Sequence, residues 1–226
     1  MGKSERKGWN EGFGTTTRSF DEWRTTDSEI RAFLALTTRW MQERYEQVWQ
    51  EVSELPGSDD GPDLYDVFSR AVDDLEPLDY HWMLQASVVR DGVSAFEVYL
   101  EKAGAQVLRK HGYTWKVRLG HTPRWLDMAG FFSNHLDIEV DTDRVKHIRQ
   151  LRHNLTHLRG ELRTPAQQEE FGQNDESNFP NYRAELSAET VIAALGDLAG
   201  VVHQVDPVAW RFIYGKGRLE LDSPEQ

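Results

Sequence analysis

The sequence contains no cysteine among its 226 residues. Without thiols it can form no disulfide, no thiolate zinc site and no iron–sulfur cluster, and it offers no cysteine nucleophile. No run approaches the ~18 consecutive apolar residues of a membrane-spanning helix. The first residues lead into glycine and threonine rather than into an apolar signal segment. We therefore expect a cytoplasmic protein with no membrane partner.

Positive charge is scarce overall but concentrated locally. The 26 Lys and Arg residues against 38 Asp and Glu give a net charge of −12, which argues against a protein that coats nucleic acid through its average field. Residues 102–126 hold six Lys or Arg and no acid, and residues 144–163 hold six with one acid. The remainder has 14 basic and 37 acidic residues. This segregation is compatible with a local site for an anion.

Apolar residues at spacings of three and four dominate the chain and predict helices. Residues 113–119 fit a short strand or an extended loop, and residues 123–136 fit a short helix. We expect an all-α fold, an antiparallel bundle of four to five main helices with an elaborated connection before the helix that starts near residue 143. The predicted helices cover residues 27–55, 64–75, about 83–103 or beyond, 143–160 and 190–206.

The predicted domain organisation is an arm followed by one helical domain. Residues 1–26 include four glycines and are expected to form a flexible arm. Residues 27–226 are expected to form a single domain that contains an insertion at 111–141 and a polar loop at 164–187. A loop that long is usually functional or disordered, and the sequence does not decide whether this one is a lid, a partner site or disorder.

Residues 148–163 carry the most informative chemistry. On a helix with about 100° per residue, the leucine stripe lies on one side, and Arg149, Arg152, His153 and His157 fall mostly on the other. An arginine brings a permanent cation, and a histidine can take or give a proton near neutral pH. Cleavage of RNA without a metal needs a base for the 2′-OH proton and a cation for the charge on the phosphoryl oxygens.

The segment Arg152–His157, which reads RHNLTH, resembles the signature of the HEPN superfamily. In that signature an Arg is followed after four to six residues by a His near the end of a helix. The upstream stretch 86–100, with Phe96 and Glu97, is similar to the helix that packs on the motif in these proteins. The resemblance covers roughly residues 65–205 and implies a helical domain that forms a homodimer, in which two motifs meet in a cleft.

The resemblance also implies an activity, namely a metal-independent endoribonuclease that acts by 2′-OH transesterification and needs no cofactor. Arg152 would hold the scissile phosphate, His157 would act as general base or acid, and His153 would orient or assist them. Such proteins are often toxins or antiphage-defence effectors, so an antitoxin or a defence-system protein is an expected partner. The expected supporting residues around the motif are His153, Asn154, Arg149 and Glu97.

RNA is the expected substrate, and the basic segment 102–126 is expected to guide it. This segment interleaves cations with Tyr113, Trp115 and Trp125, a mixture that suits single-stranded nucleic acid. Aromatic residues of this kind are more often core or docking residues than stacking platforms, and we favour docking for these three. The residues expected to contact RNA are Lys110, Lys116, Arg118, Arg124 and Arg159.

Several alternatives stay open at this stage. Arg152 and His157 could belong to a solvated helix face, and His153 with His157 could ligate a metal at i and i+4, although no third ligand is evident and we expect no metal. Glu97 fits equally a buried partner of Arg152 or an exposed position. For the whole chain, the alternative to a nuclease is a catalytically inactive HEPN-like module for nucleotide or RNA binding or for dimerisation. A helical scaffold is a third possibility if the basic windows pair with acidic residues.

Overall fold

The computed structural model describes residues 15–53, 77–117, 121–172 and 183–219. Within these ranges the chain forms six helices and one isolated antiparallel bridge, so the prediction of an all-α helical bundle is confirmed. The predicted helix at 64–75 and Arg118 lie outside the described residues. The helices are α1 Arg18–Ser53, α2 Pro77–Lys110, α3 Trp125–Leu136, α4 Asp143–His157, α5 Pro165–Phe171 and α6 Ala188–Tyr214.

Helix α1 begins nine residues earlier than the sequence predicted. Thr17 precedes it, and the Thr17 Oγ1 accepts a hydrogen bond from the Phe20 N–H at 3.1 Å, which satisfies a donor that the first turn leaves free. The Thr17 residue is buried. The predicted flexible arm over 1–26 is therefore wrong for residues 18–26, which are helical, while residues 1–14 lie outside the described part.

Helix α6 continues through Pro207 to Tyr214, although the sequence predicted that it ends before this proline. A proline removes one backbone N–H from the helical ladder. The unpaired carbonyl belongs to His203, which is exposed, as is Pro207 itself. Buried Ala209 and Ile213 follow, so packing of the next two turns keeps the helix intact beyond the proline.

The same helix is the one, among the residues searched, that is long and apolar enough to cross a membrane by length and composition. Its mean hydropathy reaches 1.2 over an 18-residue window, of which 39% is buried. A buried core helix passes the same test, and α6 supplies core residues such as Val191, Leu195 and Val202.

The predicted insertion and polar loop both contain a helix. Helix α3 occupies the stretch predicted as a short helix, and residues 113–117 are irregular rather than a strand. Trp115 is docked, since its Nε1–H donates to the Glu101 carbonyl at 3.1 Å and a Cβ on Gly104 would lie 2.4 Å from its ring. In the loop predicted at 164–187, Thr164 and Gln167 form a capping box that starts α5.

The described residues group into two compact units. The first comprises 15–23, 98–117, 121–140 and 201–219, and the second comprises 24–53, 77–97, 141–172 and 183–200. The aromatic core of the first unit includes Trp23 and Tyr99, whose ring centroids are 6.1 Å apart. The second unit contains α4 and therefore every candidate catalytic residue. Its core cluster consists of Leu34, Leu84, Ala86, Val88, Val89, Leu155, Leu162, Phe171, Ala184, Val191 and Leu195.

Candidate nucleic-acid site

Helix α4 carries the candidate catalytic residues, and both of its ends are specified locally. Thr142 caps the start, where its side chain accepts a hydrogen bond from the Val145 N–H at 3.3 Å. At the other end, the Asn154 carbonyl accepts from the N–H groups of Leu158 and Gly160 at 2.9 and 3.1 Å. The helix therefore stops at His157, three residues before the predicted end near Gly160.

The turn after α4 is built against one tryptophan. Gly160 has φ +77°, and a Cβ there would lie 2.3 Å from the Trp82 ring, so only glycine fits. The Trp82 Nε1–H donates to the Ala184 carbonyl at 2.8 Å, and the Ala184 N–H donates to the Gly160 carbonyl at 2.8 Å. Trp82 therefore holds two segments distant in sequence side by side. No motif or spacing in the sequence pointed to this tryptophan.

Arg152 lies half-buried on α4, and its Nε is buried with no hydrogen-bond partner in the described part of the chain. Asn154 is fully buried, and its Nδ2 likewise has no partner, whereas its Oδ1 accepts from Gln167 Nε2 at 3.4 Å. Buried donors without a partner are rare in proteins because each carries a desolvation penalty of ~1–3 kcal/mol. Both of these donors belong to the segment Arg152–His157.

The structure brings His153 and His157 together and leaves Arg152 apart from them. Both histidines are exposed, and their ring centroids are 4.6 Å apart. Residues five apart on a helix differ by about 140° around its axis, so Arg152 and His157 face different sides, and they form no hydrogen bond with each other. Arg149, four residues before His153, lies only about 40° from it around the axis, so the grouping of these residues on one polar side of α4 stays a prediction.

Glu97 pairs with Arg149 and not with Arg152. The carboxylate accepts a hydrogen bond from Arg149 Nε at 2.8 Å, and the two side chains keep only 25% and 26% of their exposure. Neither predicted alternative for Glu97, a partner of Arg152 or an exposed position, describes this half-buried ion pair. The pair joins α2 to α4 and so positions the helix that carries the motif.

An open pocket of about 470 Å³ lies directly after α4. Its described lining residues supply three guanidinium groups, one imidazole and one carboxylate. Glu161 accepts two hydrogen bonds from Arg163 at 2.8 and 3.0 Å, and the Arg183 guanidinium lies 3.8 Å from the centroid of the Trp82 ring. We call this the arginine pocket, and its lining residues are His157, Leu158, Arg159, Glu161, Arg163 and Arg183.

Of the pocket residues, the sequence predicted His157 as catalytic and Arg159 as an RNA contact. Arg163 lies in the basic window 144–163, and that signal could have identified it. Arg183 has no comparable signal, because its position depends on the backbone pairing between Gly160 and Ala184. Gln167, whose amide contacts both the start of α5 and Asn154, was also missed, although the spacing Thr164-x-x-Gln167 is the sequence signature of a capping box.

The other residues predicted to contact RNA belong to the first unit. Lys110 and Lys116 are exposed. Arg124 is exposed but bound to Asp127 at 3.0 Å, and this hydrogen bond lowers the pKa of the Asp127 carboxyl. Arg124 therefore has a local acidic partner that RNA would have to replace.

The described residues contain no group of three or more His, Cys, Asp or Glu side chains that could hold a metal ion. His153 and His157 have the spacing of metal ligands on a helix. In the described ranges they lack the third ligand that a stable site requires.

Comparison of the chain with protein-family models, curated proteins and solved structures finds no match. The likeness of Arg152–His157 to the HEPN signature therefore stays a prediction.

Proposed function

We propose that this chain is a metal-independent endoribonuclease of the HEPN type. The observation that carries the proposal is the position of His157, which lies beside His153 and at the same time lines a pocket with three arginines. Proton-transfer groups and fixed cations are the two components that RNA cleavage needs when no metal is used.

In this mechanism one imidazole, assigned to His157, removes the proton of a ribose 2′-OH. The 2′-oxygen forms a bond to the adjacent phosphorus while the bond from phosphorus to the 5′-oxygen breaks. A protonated imidazole, assigned to His153, gives a proton to the leaving 5′-oxygen. The products are a 2′,3′-cyclic phosphate and a 5′-hydroxyl, and no cofactor takes part.

Arg152 is assigned the role of stabilising the negative charge on the scissile phosphate. This role requires a homodimer. One chain holds Arg152 about 140° around α4 from His157, so a single copy does not present both groups to one phosphate. A second copy can bring its Arg152 opposite the first copy's His157. The buried Nε of Arg152, which has no hydrogen-bond partner among the described residues, supports a role in binding an acceptor from outside.

A cytoplasmic toxin or antiphage-defence effector is the biological role that we attach to this activity. A nuclease without a metal requirement would be active wherever it meets RNA. Its host would therefore need an antitoxin or a defence-system partner that restrains it. The net charge of −12 favours a protein that meets RNA at one site and releases the product.

The proposal is tested by incubating the protein with end-labelled RNA in EDTA. We expect His157→Ala and Arg152→Ala each to lower the cleavage rate by at least about 100-fold, as for the loss of a general base or of an oxyanion-stabilising group. The exposed His121 provides the control, because His121→Ala should cleave at the parent rate. Mass spectrometry of the product should find the 2′,3′-cyclic phosphate.

A mixture of the two inactive variants tests the dimer. If Arg152 and His157 of one site come from different copies, a mixed dimer contains one intact site, and mixing restores part of the activity. Cleavage that survives both substitutions, or that EDTA abolishes, contradicts the proposal.

The half-buried position of Arg152, away from His157, favours a second candidate, a binding module that recognises RNA and does not cut it. If this candidate is right, RNA binds to the protein and stays intact in the same assay. The affinity for RNA then depends on the residues of the arginine pocket and not on Arg152.

A further inference from the structure

We infer that the arginine pocket is a phosphate subsite for a single RNA strand, distinct from the motif Arg152. The inference rests on the proposed function only in taking RNA as the ligand. It assigns Arg159, Arg163 and Arg183 to the phosphate group next to the one that the 2′-oxygen attacks after His157 has taken its proton. All three residues lie outside the motif Arg152–His157.

The charge of the pocket is the first argument. Among the described lining residues, three guanidinium groups face one carboxylate, that of Glu161, so these residues carry a net charge of +2 when His157 is counted as neutral. One or two cations at the end of α4 would suffice to complement the helix dipole. An arginine fork matches the geometry of a phosphate, because it donates two parallel hydrogen bonds to it.

The backbone is the second argument. Arg159 has φ +51°, a conformation that is unfavourable by ~1–2 kcal/mol for a residue other than glycine. Gly160 behind it is fixed against Trp82, and Trp82 also stacks on Arg183. A rigid support that holds cations from two distant segments around one space is typical of a binding site.

The openness of the pocket is the third argument. His157, Arg159, Glu161, Arg163 and Arg183 are all exposed, so the pocket does not enclose its ligand. A strand can therefore enter and leave it, and a phosphate within the chain fits as well as a terminal one. Because His157 is common to the pocket and the motif, a phosphate bound here lies beside the reacting group.

Glu161 competes with that phosphate. Its carboxylate already holds Arg163 with two hydrogen bonds, so the phosphate must displace it to use the fork. Removing the Glu161 charge is therefore expected to strengthen RNA binding. A misfolded protein could not produce that gain.

The test measures fluorescence anisotropy with a 2′-O-methyl RNA of about 12 nucleotides, a length within single-strand site sizes. This probe has no 2′-OH and cannot be cleaved by the proposed reaction. The RNA affinity falls as the salt concentration rises, with a log–log slope of ~0.7 for each phosphate contact to a single strand. We expect Arg163→Gln and Arg183→Gln each to lose one such contact, so that each binds more weakly than the parent but is less sensitive to salt. The ratio of parent affinity to variant affinity should therefore fall by about 2.6-fold between ~50 and ~200 mM salt. Glu161→Gln should bind more tightly than the parent.

The matched control is Arg144→Gln, at the start of α4. Arg144 is exposed and pairs with Asp197 at 2.7 Å, and it lies about 20 Å along α4 from His157. If Arg163→Gln and Arg183→Gln bind like Arg144→Gln, or if the parent does not bind the probe, the subsite does not exist. Two further probes, one with a 5′-phosphate and one with a 5′-hydroxyl, show which phosphate of the RNA occupies the pocket. Equal affinities indicate an internal phosphate. A higher affinity for the 5′-phosphate probe indicates a terminal phosphate.

The two proposals fail in different ways. If the pocket variants weaken binding but no RNA is ever cleaved, the subsite stands and the nuclease proposal falls. If cleavage depends on His157 while the pocket variants bind as the parent does, the nuclease proposal stands and the subsite falls.

Discussion

Gly160 is the single residue on which the geometry of the site depends most directly. It combines a φ of +77° with a close approach to Trp82, since a Cβ added to Gly160 would lie 2.3 Å from that ring. The ring cannot simply move away, because its Nε1–H is bound to the Ala184 carbonyl and Arg183 lies over its face. A side chain at residue 160 would therefore disturb both segments that form the arginine pocket.

We expect Gly160→Ala to lower the free energy of unfolding by about 2–4 kcal/mol. About 1–2 kcal/mol of this comes from the left-handed backbone, and the rest comes from displacement of Trp82, by analogy with overpacked cores. Urea denaturation measures the effect.

Gly112 offers a control that separates the two causes. It has φ +82° but no atom within 4 Å of a Cβ position, so Gly112→Ala should show the backbone penalty alone. A Gly160→Ala variant that is no less stable than Gly112→Ala would mean that contact with Trp82 does not constrain the turn.

At the scale of elements, α4 is fastened to both of its long neighbours in the second unit. Arg149 binds Glu97 on α2 at 2.8 Å, and Arg144 binds Asp197 on α6 at 2.7 Å. The first pair is mostly shielded from water, whereas the Arg144 side chain keeps 79% of its exposure. The two ion pairs therefore have similar lengths but different solvent screening, and screening decides how much an ion pair contributes.

A double-mutant cycle on Glu97→Gln and Arg149→Gln should give a coupling energy of about 1 kcal/mol, because shielding from water strengthens a charged hydrogen bond. The same cycle on Arg144 and Asp197 should give less than about 0.5 kcal/mol, as exposed pairs usually do. Both are measured from urea unfolding of the single and double variants. Equal couplings in the two cycles would show that Glu97 does not anchor α4 more strongly than a surface pair.

For the whole molecule, the sequence predicted the helical class. It did not predict helix ends and site residues whose positions are set by contacts between distant parts of the chain. Apolar spacing depends on neighbours three and four residues away, so the middles of α1, α2, α4 and α6 could be predicted. The start of α1 depends on Thr17, which binds Asp206 across 189 positions, and no local pattern encodes that contact. The motif Arg152–His157 could be recognised, but Arg183 could not, since its place beside His157 is set by Trp82.

The Asp206 carboxyl joins three distant parts of the first unit. It accepts hydrogen bonds from Thr17 Oγ1 at 2.5 Å and from Tyr99 Oη at 3.4 Å, and the residue is only 2% exposed. Burial raises the pKa of Asp206 above its usual value, the hydrogen bonds from Thr17 and Tyr99 oppose this rise, and the charge of Asp21 adds to it. Burial also raises the pKa of the Tyr99 hydroxyl, so Tyr99 remains the donor to this carboxylate.

This pKa gives the stability of the protein a defined pH dependence. The folded state holds the Asp206 proton more tightly than the unfolded state does, whose carboxyl titrates near ~3.9. The stabilisation from Asp206 is therefore present at low pH and is lost as the pH rises through the folded-state pKa.

We expect the free energy of unfolding of the parent, minus that of Asp206→Asn, to increase as the pH falls from about 8 to about 4. Urea denaturation across this range measures it, with the exposed Asp91 as the control site. The difference between the parent and Asp91→Asn should change less, and an Asp206→Asn difference that is constant with pH would contradict the raised pKa.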